Sequence, residues 1–444
     1  MTQQDLMAGL SILLAAGVLL FILFSILKKR LPASAWQFFS SRAELLSYYD
    51  FARRALFQRP WLLILPLALV AAARIIQIVF FLSAQSPPPP EPGTWDLWKQ
   101  LFSLRFFSRE VLTTLLHAAR LLRYGFDTAI SGNLVFQVFF LICALTYRAE
   151  SRRLQALATA ENQPQLVFYK KILRAALVVF ILLAILFGWL AWTDRGGPAG
   201  MESMIWPLLV PAFLILQFFS LSLFSLVEGF LLFSVLGIIR DEPFGFEPIV
   251  NQSLAVFKPL FFWNIILFGL AHVSSLLLLP HTLGMFFSLP QNLSWAMRLA
   301  HYYGYVYSLV MIFAAFVPFV IVICRTGTRQ ALGLHLAFVR HYLVKYLVFA
   351  GTGLVLLSLP ALLNRAVTVL LQQTAFAPAP YGLTISLSNL LFDLVTLTLA
   401  VVFYMAIFRF MFDKLTAMGK NGAEVPGLAG GRHRYEPEKI HTGE

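Results

Sequence analysis

Nine segments of this chain, 7–27, 61–82, 130–147, 173–193, 205–237, 260–280, 304–324, 346–371 and 383–408, are nearly uninterrupted runs of apolar residues. A helix rising 1.5 Å per residue needs about 20 such residues to cross the roughly 30 Å of hydrocarbon in a bilayer. In that solvent every backbone N–H and C=O must find its partner within the protein, which leaves the helix as the conformation a single segment can adopt. The expected fold class is therefore all-α, a polytopic transmembrane helical bundle of about nine spans. Segment 130–147 is the shortest. Segment 205–237 is too long to cross straight, and Pro207 and Pro211 are expected to break off its first turns. Composition points the same way: 59% of the residues are hydrophobic and 12% charged, where a soluble domain carries about 25% charged residues. A soluble enzyme, a disordered chain and a nucleic-acid-binding domain are excluded, because this chain would aggregate in water.

The basic residues orient the expected bundle. With the N-terminus outside, the connections 28–60, 148–174, 238–259, 325–345 and 409–444 hold 25 Lys and Arg, and the opposite connections 83–129, 194–204 and 281–303 hold 7; Arg74 and Arg365 fall within spans. Cytoplasmic loops are the ones enriched in Lys and Arg, so the expected topology is N-out, C-in. The same bias accounts for the net charge of +13 without a nucleic-acid partner. No basic residue precedes the first apolar run, whereas Lys28, Lys29 and Arg30 follow it, the order of a retained anchor and not of a cleaved export signal. Two isolated cysteines, Cys143 and Cys324, suggest neither a disulfide framework nor a zinc site, and no metal or cofactor is expected.

Three stretches are not spans. Residues 83–100, with Pro87 to Pro90 and Pro92, read as an outer polyproline-type segment. Val111, Leu112, Leu115, Leu116, Ala119 and Leu122 then form one helical stripe, expected to lie on the outer leaflet or to cap the bundle. From 419 to 444 glycine and charge prevail, so a disordered cytoplasmic tail is expected after a transmembrane domain of 1–418.

An internal repeat is suggested by three segments that lead into spans alike: Ala55-Leu56-Phe57-Gln58-Arg59-Pro60, Ala255-Val256-Phe257-Lys258-Pro259-Leu260 and Ala337-Phe338-Val339-Arg340-His341-Tyr342, with a looser copy at Leu166-Val167-Phe168-Tyr169-Lys170-Lys171. Each would close an interfacial amphipathic helix before a helix pair, dividing the chain into units 43–147, 160–237, 248–324 and 328–408. This pattern of residue classes, most visible at 249–280 and 328–371, resembles the membrane domain attached to some bacterial glycerophosphodiester phosphodiesterases and similar bacterial integral membrane proteins. The resemblance implies a multi-pass protein of a bacterial cytoplasmic (inner) membrane. It implies no catalytic residue, since no polar stretch is long enough for the phosphodiesterase barrel of those fusions.

Ionisable groups deep in spans are the best functional leads, because a charge at mid-bilayer is costly unless paired or hydrated. Arg74, Glu228, His272 and Asp393 lie roughly 14–20 Å from the ends of their segments. The expectation is that Arg74 pairs with Glu228 or Asp393, the remaining acid being protonated or facing a polar cavity with His272. Arg365 is expected to snorkel outward, Pro318 and Pro360 to kink their spans, and Gln217, Asn264 and Asn389 to serve as interhelical hydrogen-bond partners. Arg325, Arg329, Arg340 and Lys345 are candidates for gripping lipid headgroups. His335 and His341, six residues apart, do not share a helix face and do not suggest a metal site.

No G-x-x-x-x-G-K-[ST], H-E-x-x-H or G-x-S-x-G motif occurs, so an enzyme is not expected. The leading expectation is a non-catalytic membrane component: a scaffold, a partner subunit or a lipid-organising protein, with membrane lipids and other membrane proteins as partners. The alternative is a transporter or permease for a small or lipidic substrate, proton-linked through the midplane groups. An intramembrane lipid enzyme ranks third.

Overall fold

The computed structural model describes residues 32–68, 71, 75, 142–159, 162–193, 202–286, 303, 306, 307, 310–373 and 378–420; within these, the side chains of 186–193, 202–214, 216, 274–286, 365, 368–373, 378–383, 385 and 420 are left aside. Every regular element among the described residues is helical. After a single 3-10 turn, Ala33–Trp36, come α1 (Arg42–Gln58), α2 (61–68), α3 (Tyr147–Ala156), α4 (Gln163–Thr193), α5 (Glu202–Ile239), α6 (Phe246–Ala255), α7 (Phe257–Phe286), α8 (Val317–Cys324), α9 (Thr328–His341), α10 (Leu343–Gln373) and α11 (Pro378–Lys420). Among the described residues, three stretches are long and apolar enough to cross a membrane: Gln217–Ile239, Leu343–Asn364 and Ser386–Gly419. Two bent pairs raise the number to five, Phe246–Ala255 with Phe257–Val273 at 61° and Val310–Cys324 with Thr328–His341 at 111°. Segment 7–27, the polyproline stretch, the 111–122 stripe and the tail beyond 420 lie outside the described residues, as do most of 61–82 and 130–147.

A short helix precedes a long apolar one at α3–α4, α6–α7 and α9–α10, α1 leads into α2 in the same order, and local chemistry explains the breaks. The Ser41 hydroxyl caps α1 by accepting from the Glu44 N–H at 3.2 Å. At the other end, Pro60 disfavours helical geometry at Arg59, which adopts φ −134°, ψ 74°. Val256 separates α6 from α7 and Tyr342 separates α9 from α10. Arg59, Val256 and Tyr342 thus fall within the three similar segments. The looser copy at 166–171 behaves differently: it lies inside α4, and the short helix there is α3. Pro207 and Pro211 also depart from expectation, since α5 runs unbroken through both. Opening the helix in apolar surroundings would strand several backbone groups, which costs more than the one bond each proline removes. Pro360 likewise sits inside a continuous α10, whereas Pro318 follows a break and begins α8.

The short helices gather at one end of the bundle, where α5, α8 and α11 finish and α7 and α10 begin. Arg59, after α1, donates to the Ser234 carbonyl at 2.7 Å and the Glu242 carbonyl at 2.9 Å, both at the finish of α5. Asn162, before α4, donates to Asn251 Oδ1 of α6 at 3.0 Å, and Thr328 of α9 donates to the Pro259 carbonyl of α7 at 2.9 Å. Beneath this layer the core is aromatic. Phe349 of α10 stacks on Phe410 of α11 at 5.2 Å, and Tyr48 of α1 meets Phe410 edge-on at 5.6 Å. Phe319 of α8 meets Tyr404 and Phe408 of α11 edge-on at 4.6 and 5.0 Å. For helices apolar enough to cross a membrane, such contacts and buried polar bonds carry the association, because lipid tails are as apolar as the side chains.

Candidate functional site

The deepest polar assembly among the described residues is built around Glu228. Ser225 and Glu228 are one turn apart on α5, so their side chains share a face, and that face meets α7 and α11. Asn264 of α7 donates to Ser225 Oγ at 2.9 Å and to Glu228 Oε2 at 3.1 Å. Tyr404 of α11 donates to Glu228 Oε1 at 3.2 Å. The Ser225 hydroxyl proton goes to the Leu221 carbonyl at 2.6 Å, leaving its lone pair for Asn264. Glu228, Asn264 and Tyr404 are each at most 4% exposed, and Ser225 is fully buried. Each carboxylate oxygen therefore meets a neutral donor from a different helix. Such an arrangement fixes rotation and register of three helices, because losing one donor leaves a buried polar atom unsatisfied.

Two of the other midplane candidates, His272 and Asp393, lie further along their helices. His272 is eight residues beyond Asn264 on α7, about 12 Å along the axis; its ring bonds the Phe268 carbonyl of its own helix at 2.9 Å. Asp393, half-buried, is 11 residues before Tyr404 on α11, about 16 Å along the axis. One turn before it lies a second polar group: Asn364 of α10 donates to Asn389 Oδ1 at 2.8 Å, and Ser388 donates to Asn364 Oδ1 at 3.2 Å. Asn264 and Asn389 thus do form the interhelical bonds expected of them. Arg74 lies outside the described residues, as does the Arg365 side chain.

At the short-helix end a second charged cluster escaped sequence reasoning. Glu44 on α1 receives Lys414 of α11 at 3.2 Å and Lys345 of α10 at 3.6 Å on Oε1, and the Ser40 N–H and hydroxyl at 2.8 Å each on Oε2. Burial pushes its carboxyl up, but the Ser40 bonds, the Lys414 bond and the Lys345 charge outweigh that and hold it at about 2, against an ordinary 4.5. Lys345 is only 9% exposed and also lies over the Phe39 ring, so it is not free for headgroups as expected. Arg325, Arg329 and Arg340 are exposed; Arg325 closes α8 in the left-handed region at φ 49° and covers Phe233. His341 bonds the Ser34 hydroxyl, and His335 faces the Phe313 carbonyl. The signal that could have marked Glu44 is Ser41-x-x-Glu44, the spacing of a capping box.

Comparison with models of protein families, with curated proteins and with solved structures returns no match.

Proposed function

We propose that this chain is a multi-pass integral membrane protein of about nine spans, N-terminus outside and C-terminus inside, that serves a bacterial cytoplasmic membrane as a non-catalytic component: a scaffold, partner subunit or lipid-organising protein. The observation that carries this reading is the engagement of Glu228 by Asn264 and Tyr404, which uses the deepest acid to set helix register. Transport driven by the midplane groups needs them to converge on one site. His272 and Asp393 instead lie about 12 and 16 Å along their helices from the residues that engage Glu228. The 25-to-7 distribution of Lys and Arg supports placing the short-helix end in the cytoplasm, and the similarity to phosphodiesterase-associated membrane domains supports the bacterial inner membrane.

Glu228→Gln tests the reading. The amide can accept at one oxygen only and turns its NH2 toward another donor, so the variant should lose about 1–3 kcal/mol of stability and unfold at lower temperature in detergent. In proteoliposomes the wild type and the variant should hold an imposed pH gradient equally well. A proton flux that is present in the wild type and absent in Glu228→Gln would overturn the structural role in favour of transport.

A further inference from the structure

The outward face of α4 joins two exposed cations to a run of exposed apolar residues. Val167, Lys171, Arg174, Val178, Ile181 and Ile185 recur at alternating intervals of four and three, which places them in one stripe along the helix. Val167 is 43% exposed, and Val178, Ile181 and Ile185 are 51 to 62% exposed; Lys171 and Arg174 are exposed as well. The opposite face, with Leu166, Tyr169, Leu173 and Ala176, is buried against the bundle. From 175 to 193 no charged residue occurs, about 28 Å of helix. The stripe thus begins with two cations and continues as apolar surface for the depth of a leaflet. Arg174 is held in place: it donates to the Tyr147 hydroxyl of α3 at 3.2 Å and covers that ring at 5.6 Å. On the adjoining α3, Arg148, Arg152 and Arg153 are also exposed.

We propose that this face binds an anionic phospholipid, its phosphate between Lys171 and Arg174 and an acyl chain along Val178, Ile181 and Ile185. The proposal rests on the membrane reading above, with α4 as one of the spans. Charge complementarity selects the occupant. A second copy of the chain docked in parallel through this stripe would set Lys171 and Arg174 against their own counterparts, a repulsive arrangement in a medium of low dielectric. A phosphodiester bearing one negative charge supplies what the two cations lack, and the apolar continuation suits an acyl chain and not a free phosphate.

The test uses the full chain, delipidated in mild detergent and transferred to nanodiscs of phosphatidylcholine with or without about a third phosphatidylglycerol. Native mass spectrometry then counts the retained lipid. The wild type should retain phosphatidylglycerol over phosphatidylcholine, and Lys171→Gln with Arg174→Gln should weaken that retention about twenty-five-fold, from a factor of about five per cation. Lys171→Gln alone leaves the Arg174–Tyr147 contact intact and should give the five-fold step, so a folding defect in the double variant would not hide the answer. Equal retention by wild type and Lys171→Gln would overturn the proposal, as would equal retention of the two lipids or dimers cross-linked through residue 178. Failure of the membrane reading is separate and visible beforehand, as release of the chain from membranes by alkaline carbonate.

Discussion

Replacing Glu44 by Gln should change how stability responds to acid, and the structure gives the size of the change. The Glu44 carboxyl titrates at about 2 in the folded protein, against an ordinary 4.5. A folded value below the unfolded one means that the unfolded chain binds the proton first. The stabilisation is fully present above pH 4.5 and drains away as pH falls toward 2. At 1.36 kcal/mol per pH unit the full shift amounts to ~3 kcal/mol. A fifth of the side chain is exposed, and screening there reduces the useful figure to about 1–2 kcal/mol. The assay is thermal unfolding of the detergent-solubilised protein, followed by tryptophan fluorescence from pH 7 to pH 3. Wild type and Glu44→Gln should differ most at neutral pH, with the wild type more stable, and their melting temperatures should converge below pH 4.5. Taking the difference between the two removes the contributions of all other titrating groups. Curves that stay parallel down to pH 3 would refute the reasoning, since they would mean that Lys345, Lys414 and Ser40 exert no net pull on the carboxylate.

Two further outcomes follow from close packing and from a buried ring. A Cβ on Gly353 of α10 would come within 2.5 Å of Cε2 and 2.9 Å of Cδ2 of Phe403 on α11, whereas one on Gly351 would meet nothing within 4 Å. Gly353→Ala should therefore cost about 1–3 kcal/mol through displacement of the Phe403 ring, and Gly351→Ala should be neutral or up to about 1 kcal/mol stabilising; unfolding temperatures read both. His335 on α9 is fully buried, and burial pushes its imidazole down to about 4, against an ordinary 6.5, despite the bond to the Phe313 carbonyl. Stability should hold above pH 6.5 and decline between 6.5 and 4, by at most ~3 kcal/mol, a decline that His335→Gln should flatten.

What the sequence made legible was local. Three helix breaks fall within segments picked out by residue class alone, because Pro60 acts on its immediate neighbour and an amphipathic period ends where an apolar run begins. The bonding roles of Asn264 and Asn389 were legible too, since a polar amide in an apolar run has few alternatives to a neighbouring helix. What stayed hidden depends on pairs distant in the chain. Glu44 meets Lys345 and Lys414 across about 300 and 370 residues, and nothing in the local sequence marks that meeting beyond the capping spacing. Gly353 reads as an ordinary membrane-helix glycine until Phe403 is set against it. The expected depths of Glu228, His272 and Asp393 run from the ends of the apolar segments, but the helices overrun those ends by different amounts, α11 beginning at Pro378 where the apolar run starts at 383.

The two acidic clusters each tie helices together, and their spacing bears on what the bundle can do. At the short-helix end Glu44 is matched by two ammonium groups, an arrangement that water at the rim makes affordable and that ionic strength can loosen. In the core Glu228 accepts from an amide and a phenol, which brings hydrogen bonds from two further helices. Both clusters draw on α11, through Lys414 and Tyr404, ten residues and about 15 Å apart. One rigid helix pinned at two depths resists sliding and rotation together, because either motion breaks bonds at both levels. Opening a path through this side of the bundle would require both to yield, whereas a lipid bound on the far face of α4 would disturb neither. A fold that commits the polar atoms around Glu228 to helix register fits the proposed role of holding lipids or partners around a fixed frame.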